Sequence, residues 1–403
     1  MTDTIVKSGD QRSYRMSNID MMRGLVVIIM AIDHVRDYFN YVGGGVSISD
    51  PGIDAAFYVT RWITHLCAPV FVFLAGTSIG LMQERRTKSE LSKFIFIRGL
   101  WLVFCEIFII STALSFAIGG EPALGGNLFT FMQILFAMGV SMMLLSGALY
   151  FGPKICLLLG MIIIFGNSLI LPMWPSGNPF GGDNDPAWIT ILSPGGFVFE
   201  PFYFIVIYPP IQWFGIMLVG YGSSYIFKKP PVERDTALIK IGVVSILLFF
   251  ALRLSNLYGD ANLWEVQDLG VLSTIFDFFD VTKYPVSLLY TLITLGPAAI
   301  ICAYADRCNG WFKETLVMFG RVPFFFYVAH FYLIHMLSVA LGAYQGFEVS
   351  QMLHAFPFYP QGYGVSLLGV YFVWLLVLAI LYPLCRWMMK IKKSRRDWWL
   401  SYL

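Results

Sequence analysis

Residues 15–40 read RMSNIDMMRGLVVIIMAIDHVRDYFN, and this stretch departs more than any other from an ordinary membrane helix. It opens on polar residues, runs apolar from Leu25 to Ile32, and then places four ionisable side chains within five positions. Ionisable side chains near bilayer depth cost free energy, so they are kept mostly where they line a cavity, pair with one another or do chemistry. We therefore interpret this helix as the functional centre of the chain.

The composition excludes a soluble protein. Of the 403 residues, 57% are hydrophobic and only 13% are charged, and the mean hydropathy is +0.69. A soluble domain carries roughly 25% charged residues, so the chain is predicted to be embedded in a lipid bilayer. A net charge of +2 gives no reason to expect a nucleic-acid partner. The six cysteines have no C-x-x-C spacing and are interpreted as small core residues, and no metal site is predicted.

Apolar runs of about twenty residues predict an all-α bundle of about ten transmembrane helices. We treat residues 1–403 as a single domain with a cytoplasmic N-terminal segment, 1–19, and a basic-aromatic cytoplasmic tail, 389–403. The runs at 56–82 and 317–343 are long, so each is expected to be tilted or broken. The predicted spans are 21–41, 56–82, 93–118, 128–149, 153–173, 203–227, 237–254, 284–304, 317–343 and 365–388.

The distribution of Lys and Arg over the short loops predicts the orientation. Basic residues precede the first span and follow every second span, whereas the alternate loops are poor in them. The positive-inside rule then places both termini in the cytoplasm. On the opposite side, residues 263–280 have apolar residues at helical spacing with acids between them, which is typical of an interfacial helix or a lid.

Five helices bring polar side chains to a similar depth, judged at 1.5 Å per helical residue. His34 and Asp37 are three positions apart and share a helix face, as do Asp33 and Arg36. A carboxylate beside His34 would orient the imidazole as a general base requires. Structural alternatives stay open. His34 can be satisfied at the interface with its acids solvated, and His65 can belong to plain packing. His330 and His335 can be interhelical hydrogen-bond partners, and Glu106 can pair with a buried arginine such as Arg98. The polar residues at this depth are His34, His65, Glu106, Gln133, His330 and His335.

Three arginines lie near predicted cytoplasmic helix ends: Arg23, Arg98 and Arg321. One interpretation is that they extend along the helix surface to reach water. The other is an electropositive mouth that binds phosphate groups. The spacing of Asp20 and Arg23 is also that of an ordinary pair at a helix start.

Several stretches resemble one family of membrane proteins. They are SNIDMMRGLVVIIMAIDHVRDYF (17–39), THLCAPVFVFLAGTSIGL (64–81), PPIQWFGIMLVGYGSSYIF (209–227), KYPVSLLYTLITLGPA (283–298) and FGRVPFFFYVAHFYLIH (319–335). In this order they resemble the heparan-alpha-glucosaminide N-acetyltransferase catalytic-domain-like family, whose members are multi-span acyltransferases. The family motif corresponds to Asp20, Arg23 and Gly24. His34 stands where the enzyme that gives the family its name has an asparagine.

The resemblance implies that an acetyl group from cytosolic acetyl-CoA reaches an acceptor on the far side of the membrane. In the enzyme that names the family, the acceptor is the amino group of a terminal glucosamine. Its presumed catalytic histidine lies in the loop after the first span, and the corresponding loop here, 40–55, contains no histidine. The catalytic histidine of that enzyme therefore has no counterpart in this loop, so His34 or His65 would have to act as the general base.

These observations give a first hypothesis: an acyl-CoA-dependent acyltransferase of the bacterial inner membrane, with a sugar or amine acceptor. His34, Asp33, Asp37 and His65 are the predicted catalytic residues. His330, His335, Gln133 and Glu106 are predicted to bind substrate, and Arg23, Arg98 and Arg321 to bind acetyl-CoA. A proton-coupled transporter that uses the same buried groups as a relay is the alternative. The oligomeric state is left open, with a homodimer as the candidate.

Overall fold

The computed structural model describes residues 8–41, 54–180, 184–395, 397 and 400. Helices dominate it, which confirms the predicted all-α membrane bundle. Residues 1–7, most of the loop 40–55 and the aromatic part of the tail 389–403 lie outside the described residues. The helices are α1 (Ser8–Phe39), α2 (Ala55–Thr64), α3 (Cys67–Met82), α4 (Lys88–Phe104), α5 (Ser111–Leu114), α6 (Ile134–Ala148), α7 (Pro153–Ile170), α8 (Pro210–Gly222), α9 (Pro231–Ser255), α10 (Val271–Phe279), α11 (Leu288–Tyr304), α12 (Gly310–Arg321), α13 (Pro323–Tyr344), α14 (Val349–Met352) and α15 (Leu367–Ser394).

Among the described residues, eight helical segments are long and apolar enough to cross a bilayer. The two other predicted spans take different forms. The first, 21–41, is α1, whose apolar run is interrupted by charged residues. The second, 203–227, contains α8, which has only 13 residues. The segments that qualify are Ala55–Met82, Lys88–Leu114, Ile134–Phe151, Pro153–Met173, Pro231–Ser255, Leu288–Arg307, Pro323–Tyr344 and Leu367–Ser394.

A three-stranded sheet replaces the start of two predicted helices. Its strands are β1 (Leu128–Met132), β2 (Gly195–Phe199) and β3 (Phe202–Val206), with β3 in the centre, parallel to β1 and antiparallel to β2. The predicted spans 128–149 and 203–227 were therefore wrong at their first residues. Both segments are rich in aromatic and β-branched residues, which suit a strand, and pairing satisfies the backbone groups that burial removes from water.

Both long runs are broken, as expected. The run 56–82 bends at His65 and Leu66, between α2 and α3. The run 317–343 is interrupted at Val322, and Pro323 begins α13. Proline has no backbone N–H to donate, so it fits the first turn of a new helix and cannot continue the preceding one. Helix α4 is followed directly by a π-helical turn, Cys105–Ile110, and then by α5.

Helix α1 packs among α2, α3, α12, α13 and α15. Its closest approach is to α12, where two glycines face each other's backbone. A Cβ atom added at Gly24 would lie 1.8 Å from the Leu316 carbonyl oxygen, and one at Gly320 would lie 1.7 Å from that of Asp20. The glycine of the Arg23-Gly24 motif is thus required by backbone contact. On the α15 side, the indole Nε1 of Trp374 donates to the Ile28 carbonyl oxygen at 2.9 Å.

The segment 263–280 is helical only at its end, in α10. It is held against α2 and α9 by specific contacts. Arg253 of α9 donates to the backbone carbonyl oxygens of Asp277, Phe278 and Asp280 at 2.8–2.9 Å. The Tyr58 ring of α2 stacks on Phe276 with ring centroids 3.9 Å apart. The segment therefore forms a fixed wall beside the end of α1.

Candidate functional site

Two cavities lie along α1, one near each end of its apolar run. We call them the large cavity, of about 950 Å³, and the small cavity, of about 430 Å³. Asp33 and His34 line the large cavity, while Met30, one helical turn earlier, lines the small cavity. Tyr363, which precedes α15, lines the large cavity, and Lys392 in the last turn of α15 lines the small one. The two cavities approach each other where His34 of the large cavity and Tyr327 of the small cavity have ring centroids 6.5 Å apart, so only a thin layer of side chains lies between them.

The large cavity is polar and aromatic. Its charged and imidazole side chains come from α1, α2 and the loop before α11. Its aromatic side chains come from α1, β1, the loops before α8 and α11, and the segment between α14 and α15. The charged and imidazole residues are Asp33, His34, Arg36, Asp37, Arg61, His65, Asp280 and Lys283, and aromatic ones include Tyr38, Phe131, Tyr208, Tyr284, Phe356 and Tyr359.

On α1, the acids pair with an arginine and not with His34. The Arg36 guanidinium lies 2.6 Å from Asp33 and 2.9 Å from Asp37. The Thr64 hydroxyl of α2 also donates to Asp33, at 2.9 Å. The expected orientation of His34 by Asp37 or Asp33 is therefore not what the structure shows. Buried charges are stabilised by pairing, and a cation between the two carboxylates provides it.

The His34 ring lies in an aromatic cluster on α13. Its centroid is 4.3 Å from that of Phe331, 5.1 Å from that of His330 and 6.5 Å from that of Tyr327. Within the described part of the chain, no hydrogen bond fixes either ring nitrogen of His34. The ring faces the large cavity on one side and the thin layer of α13 side chains on the other.

His330 and His65 each direct Nδ1 at a backbone carbonyl of their own helix. For His65 the partner is the Arg61 carbonyl oxygen at 2.8 Å. For His330 the partners are the carbonyl oxygens of Tyr327 at 2.5 Å and Phe326 at 3.1 Å. A carbonyl oxygen only accepts, so Nδ1 carries the hydrogen and Nε2 carries the lone pair. His65 lines the large cavity, and His330 is fully buried behind His34.

Glu106 does not reach either cavity. Its carboxylate accepts from the backbone N–H of Phe136 at 2.8 Å, and the backbone of Leu135 and Gln133 contributes further hydrogen bonds. These N–H groups belong to the first turn of α6, which attracts negative charge. The structure therefore gives Glu106 a capping position, whereas Gln133, the residue before α6, lines the large cavity.

His335 lies away from both cavity linings. Its Nδ1 is 2.8 Å from the Ala113 carbonyl oxygen and its Nε2 is 3.0 Å from that of Met352. Its ring stacks on Phe116 with centroids 3.9 Å apart. With both nitrogens directed at backbone oxygens, the side chain ties α13 to α5 and α14, so the structure does not favour the predicted substrate-binding role.

The small cavity brings together the three arginines that were predicted to bind acetyl-CoA. Arg23, Arg98 and Arg321 line it, with Lys392 as a fourth cation. Asp20 is the carboxylate among the described lining residues, and it lies 3.5 Å from Arg23 and 3.3 Å from Arg321. Arg23 also donates to the Ser78 hydroxyl of α3. The deeper walls are apolar and include Met30, Phe71, Met138, Met142, Phe324 and Tyr327.

Sequence reasoning missed Lys283 and Tyr327. Lys283 lines the large cavity within electrostatic reach of His34 and His65. Burial alone would lower the pKa of its ammonium, but Tyr284 and Asp33 outweigh that effect and leave the pKa above its usual value. The sequence does indicate Lys283, because it is a single basic residue beside a predicted span, at the end where Lys and Arg are otherwise scarce. A tyrosine in an aromatic helix gives no such signal.

Among the described residues, no group of three or more His, Cys, Asp and Glu side chains is arranged to hold a metal ion. The sequence profile of the family described as heparan-alpha-glucosaminide N-acetyltransferase, catalytic, matches residues 15–255. That range covers α1 to α9 and includes His34, His65 and Gln133. A comparison with curated proteins gave no significant match.

Proposed function

Because the chain belongs to the heparan-alpha-glucosaminide N-acetyltransferase catalytic family, a family of membrane acetyltransferases, we propose that it transfers an acetyl group from acetyl-CoA to a sugar acceptor. The donor would occupy the small cavity and the acceptor the large one. The observation that carries the proposal is the arrangement of two chemically different cavities on either side of the layer that holds His34. Transfer would take place across this layer.

The small cavity has the chemistry of a CoA site. Among the described residues, four cations line it, and the side chains of Arg321 and Arg23 are 42% and 23% exposed. Arginine forms strong charge-assisted hydrogen bonds with phosphate groups. The apolar inner walls suit the narrow pantetheine arm, which would carry the thioester toward Tyr327 and the layer beyond it.

The large cavity has the chemistry of a sugar site. Hydroxyl and amino groups of a sugar need convergent donors and acceptors, and Gln133, Arg61 and Asp280 provide them. The apolar faces of a sugar ring pack on aromatic side chains, which the Tyr208, Phe131 and Phe356 rings supply. A volume of about 950 Å³ exceeds what one acetyl group requires and leaves room for an acceptor of several rings.

In this proposal His34 is the general base. A neutral imidazole nitrogen takes a proton from the acceptor amine or hydroxyl as that atom attacks the thioester carbonyl. The two neighbouring acids are occupied by Arg36, so packing against Phe331 positions the ring. His65 and Lys283, which face the same cavity, would hold the acceptor.

The side of the membrane that each cavity faces is inferred from the distribution of basic residues. The small cavity lies at the end of α15 that carries Lys392 and Lys393, and the large cavity lies at the opposite end. The positive-inside rule would place the small cavity toward the cytoplasm, where acetyl-CoA is present. We propose the bacterial inner membrane as the location, with the acceptor arriving from the outer side.

The test is a binding and turnover experiment on detergent-purified protein. Acetyl-CoA and desulfo-CoA are titrated against wild type, His34→Ala and Arg321→Gln, and acetyl transfer to glucosamine is measured in parallel. We expect His34→Ala to bind acetyl-CoA but to lose transfer. Arg321→Gln should weaken binding about tenfold, as expected for one charge-assisted hydrogen bond.

The matched control is Arg86→Gln, because Arg86 lies over the Phe94 ring and does not line the small cavity. It should bind acetyl-CoA as wild type does. Wild-type protein with no affinity for either CoA ligand would contradict the proposal and favour the proton-coupled transporter. Equal weakening by Arg86→Gln and Arg321→Gln would show that the small cavity is not the binding site.

A further inference from the structure

We propose that Tyr327 is the acid that protonates the CoA sulfur as it leaves the thioester, and that His330 connects Tyr327 with His34. The inference rests on the proposed function, since it assigns a second catalytic group to the same reaction. It starts from a chemical requirement. The proton is taken from the acceptor in the large cavity, whereas the sulfur that needs a proton is in the small cavity.

Tyr327 is placed between these two locations. It lines the small cavity and is 5% exposed. Its ring meets that of His34 edge-on with centroids 6.5 Å apart, and its centroid is 5.5 Å from that of His330. The His34 and His330 centroids are 5.1 Å apart. The three side chains therefore form a continuous group that reaches from one cavity to the other.

Two polar atoms of this group lack a partner. Among the described residues, neither the Tyr327 hydroxyl nor Nε2 of His330 has a hydrogen-bond partner, although both are buried. An unsatisfied buried polar group costs roughly 1–3 kcal/mol. Phenylalanine would fill the position of Tyr327 without that cost. The hydroxyl is thus available to a ligand, and the ligand next to it in the small cavity would be the thioester sulfur.

The tautomer of His330 fits a relay. Its Nδ1 hydrogen is held by the backbone carbonyl oxygens of Tyr327 and Phe326. Nε2 therefore carries the lone pair, and this same atom would accept the proton from His34 and then release it to Tyr327. The rings of His34 and Tyr327 both lie against this histidine.

The proton balance closes without a further reactant. The acceptor nitrogen or oxygen forms a bond to the acetyl carbon, and the carbon–sulfur bond breaks with its electron pair on sulfur. The acceptor proton moves to His34. Tyr327 gives its hydroxyl proton to the sulfur, and the phenolate regains a proton from the His34 imidazolium through His330. The products are the acetylated acceptor and CoA thiol, and all three side chains return to their initial states.

The test compares two donors in Tyr327→Phe. With acetyl-CoA the leaving thiolate is basic and needs a proton, so the kcat for transfer to glucosamine should fall about 100-fold, within the usual range for a general acid. S-(4-nitrophenyl) thioacetate releases a far less basic thiolate, so the variant should lose less than about threefold with this donor. Tm should not fall, because no hydrogen bond is removed.

The matched control is Tyr332→Phe on the same helix. The Tyr332 hydroxyl donates to the Ile109 carbonyl oxygen at 3.0 Å, so its loss should lower Tm. Any effect on turnover should be equal for the two donors. A solvent deuterium isotope effect on wild-type turnover adds a measurement that requires no variant. It should be larger with acetyl-CoA than with the nitrophenyl donor, because the proton transfer to His34 contributes with both donors and the transfer from Tyr327 only with acetyl-CoA.

The outcomes separate the relay from the proposed function. A donor-dependent loss in Tyr327→Phe supports the relay. Equal losses with both donors, or full activity in Tyr327→Phe, overturn the relay and leave acetyl transfer through His34 intact. Wild-type protein that turns over neither donor overturns both the relay and the proposed function.

Discussion

The charged residues of α1 divide into structural and chemical groups. Asp33, Arg36 and Asp37 form one ion-pair chain, in which the arginine side chain is 5% exposed and the carboxylates are about 20% exposed. Removing one member of a buried pair leaves an uncompensated charge, so the chain stabilises the wall of the large cavity. His34, between them in sequence, is left out of this chain. It is therefore free to meet a substrate in the large cavity.

Asp280 provides a pH-dependent prediction, since it lies outside the spanning segments. Burial, together with the carboxylates of Asp277 and Asp260, raises the pKa of Asp280 above its usual value. A carboxyl with a raised pKa in the folded state stabilises the fold when protonated, and this contribution is lost as the pH rises through the folded-state pKa. We expect Asp280→Asn to have a higher Tm than wild type at about pH 8, and the difference to shrink as the pH falls and the wild-type carboxyl takes up its proton.

The control for this titration is Asp268→Asn, at an exposed carboxylate of the same segment. It should leave both Tm and its pH dependence close to those of wild type. Thermal unfolding in detergent over the pH range measures both variants. A Tm difference for Asp280→Asn that is independent of pH would show that its ionisation does not oppose folding.

Among the elements, the π-helical turn Cys105–Ile110 has a clear consequence for the site. It directs Glu106 at the first turn of α6, a helix that begins 28 positions later in the chain. The residue before that turn is Gln133, which lines the large cavity with a non-helical backbone, φ −103° and ψ −144°. The carboxylate on one helix thus holds the start of another, and with it the position of Gln133.

Two substitutions at Glu106 test this capping role. Glu106→Ala leaves the Phe136 N–H buried without its acceptor and should cost about 1–3 kcal/mol, observed as a lower Tm. Glu106→Gln keeps an acceptor oxygen and should lose less. Because Gln133 would be displaced, Glu106→Ala should also raise KM for the acceptor more than KM for acetyl-CoA. A KM increase confined to acetyl-CoA would instead place Glu106 on the donor side.

On the scale of the whole molecule, the two cavities extend from the layer at His34 and Tyr327 toward opposite ends of α15. That helix has 28 residues and is about 42 Å long at 1.5 Å per residue, enough to cross a bilayer. The residues that complete the site from 283 onward lie outside the part matched by the family profile. The hydrophobic core is nevertheless continuous from α1 to α15. The site therefore depends on both halves of the chain.

Cysteine labelling tests whether the cavities face opposite compartments. Gln361 lines the large cavity and Lys393 follows Lys392 of the small cavity, and both are exposed. In a Cys308→Ser background, which removes the half-exposed native cysteine, an impermeant maleimide should label Gln361→Cys in intact cells. Lys393→Cys should be labelled only after permeabilisation. Labelling of both variants in intact cells would contradict the proposed sidedness.

The sequence by itself determined the membrane bundle, the charged cluster of α1 and the basic end of the molecule. These features depend on composition and on periodicity within one helix, which are local properties. The sheet was missed because β1 pairs with β3 across more than 70 residues and the apolar composition of these strands is equally compatible with a helix. The three arginines of the small cavity could be predicted as a group for the same reason, since each lies near the predicted cytoplasmic end of its own helix.

Only the tertiary structure decided which polar group meets which. Helical spacing placed His34 and Asp37 on one face of α1. In the structure the Asp37 carboxylate pairs with Arg36, and the side chains packed against His34 come from α13. Periodicity states which face a residue occupies and not what is packed against that face. The ion-pair chain forms within α1 itself, whereas packing of the distant helix α13 surrounds His34 and brings Tyr327 to the layer between the cavities.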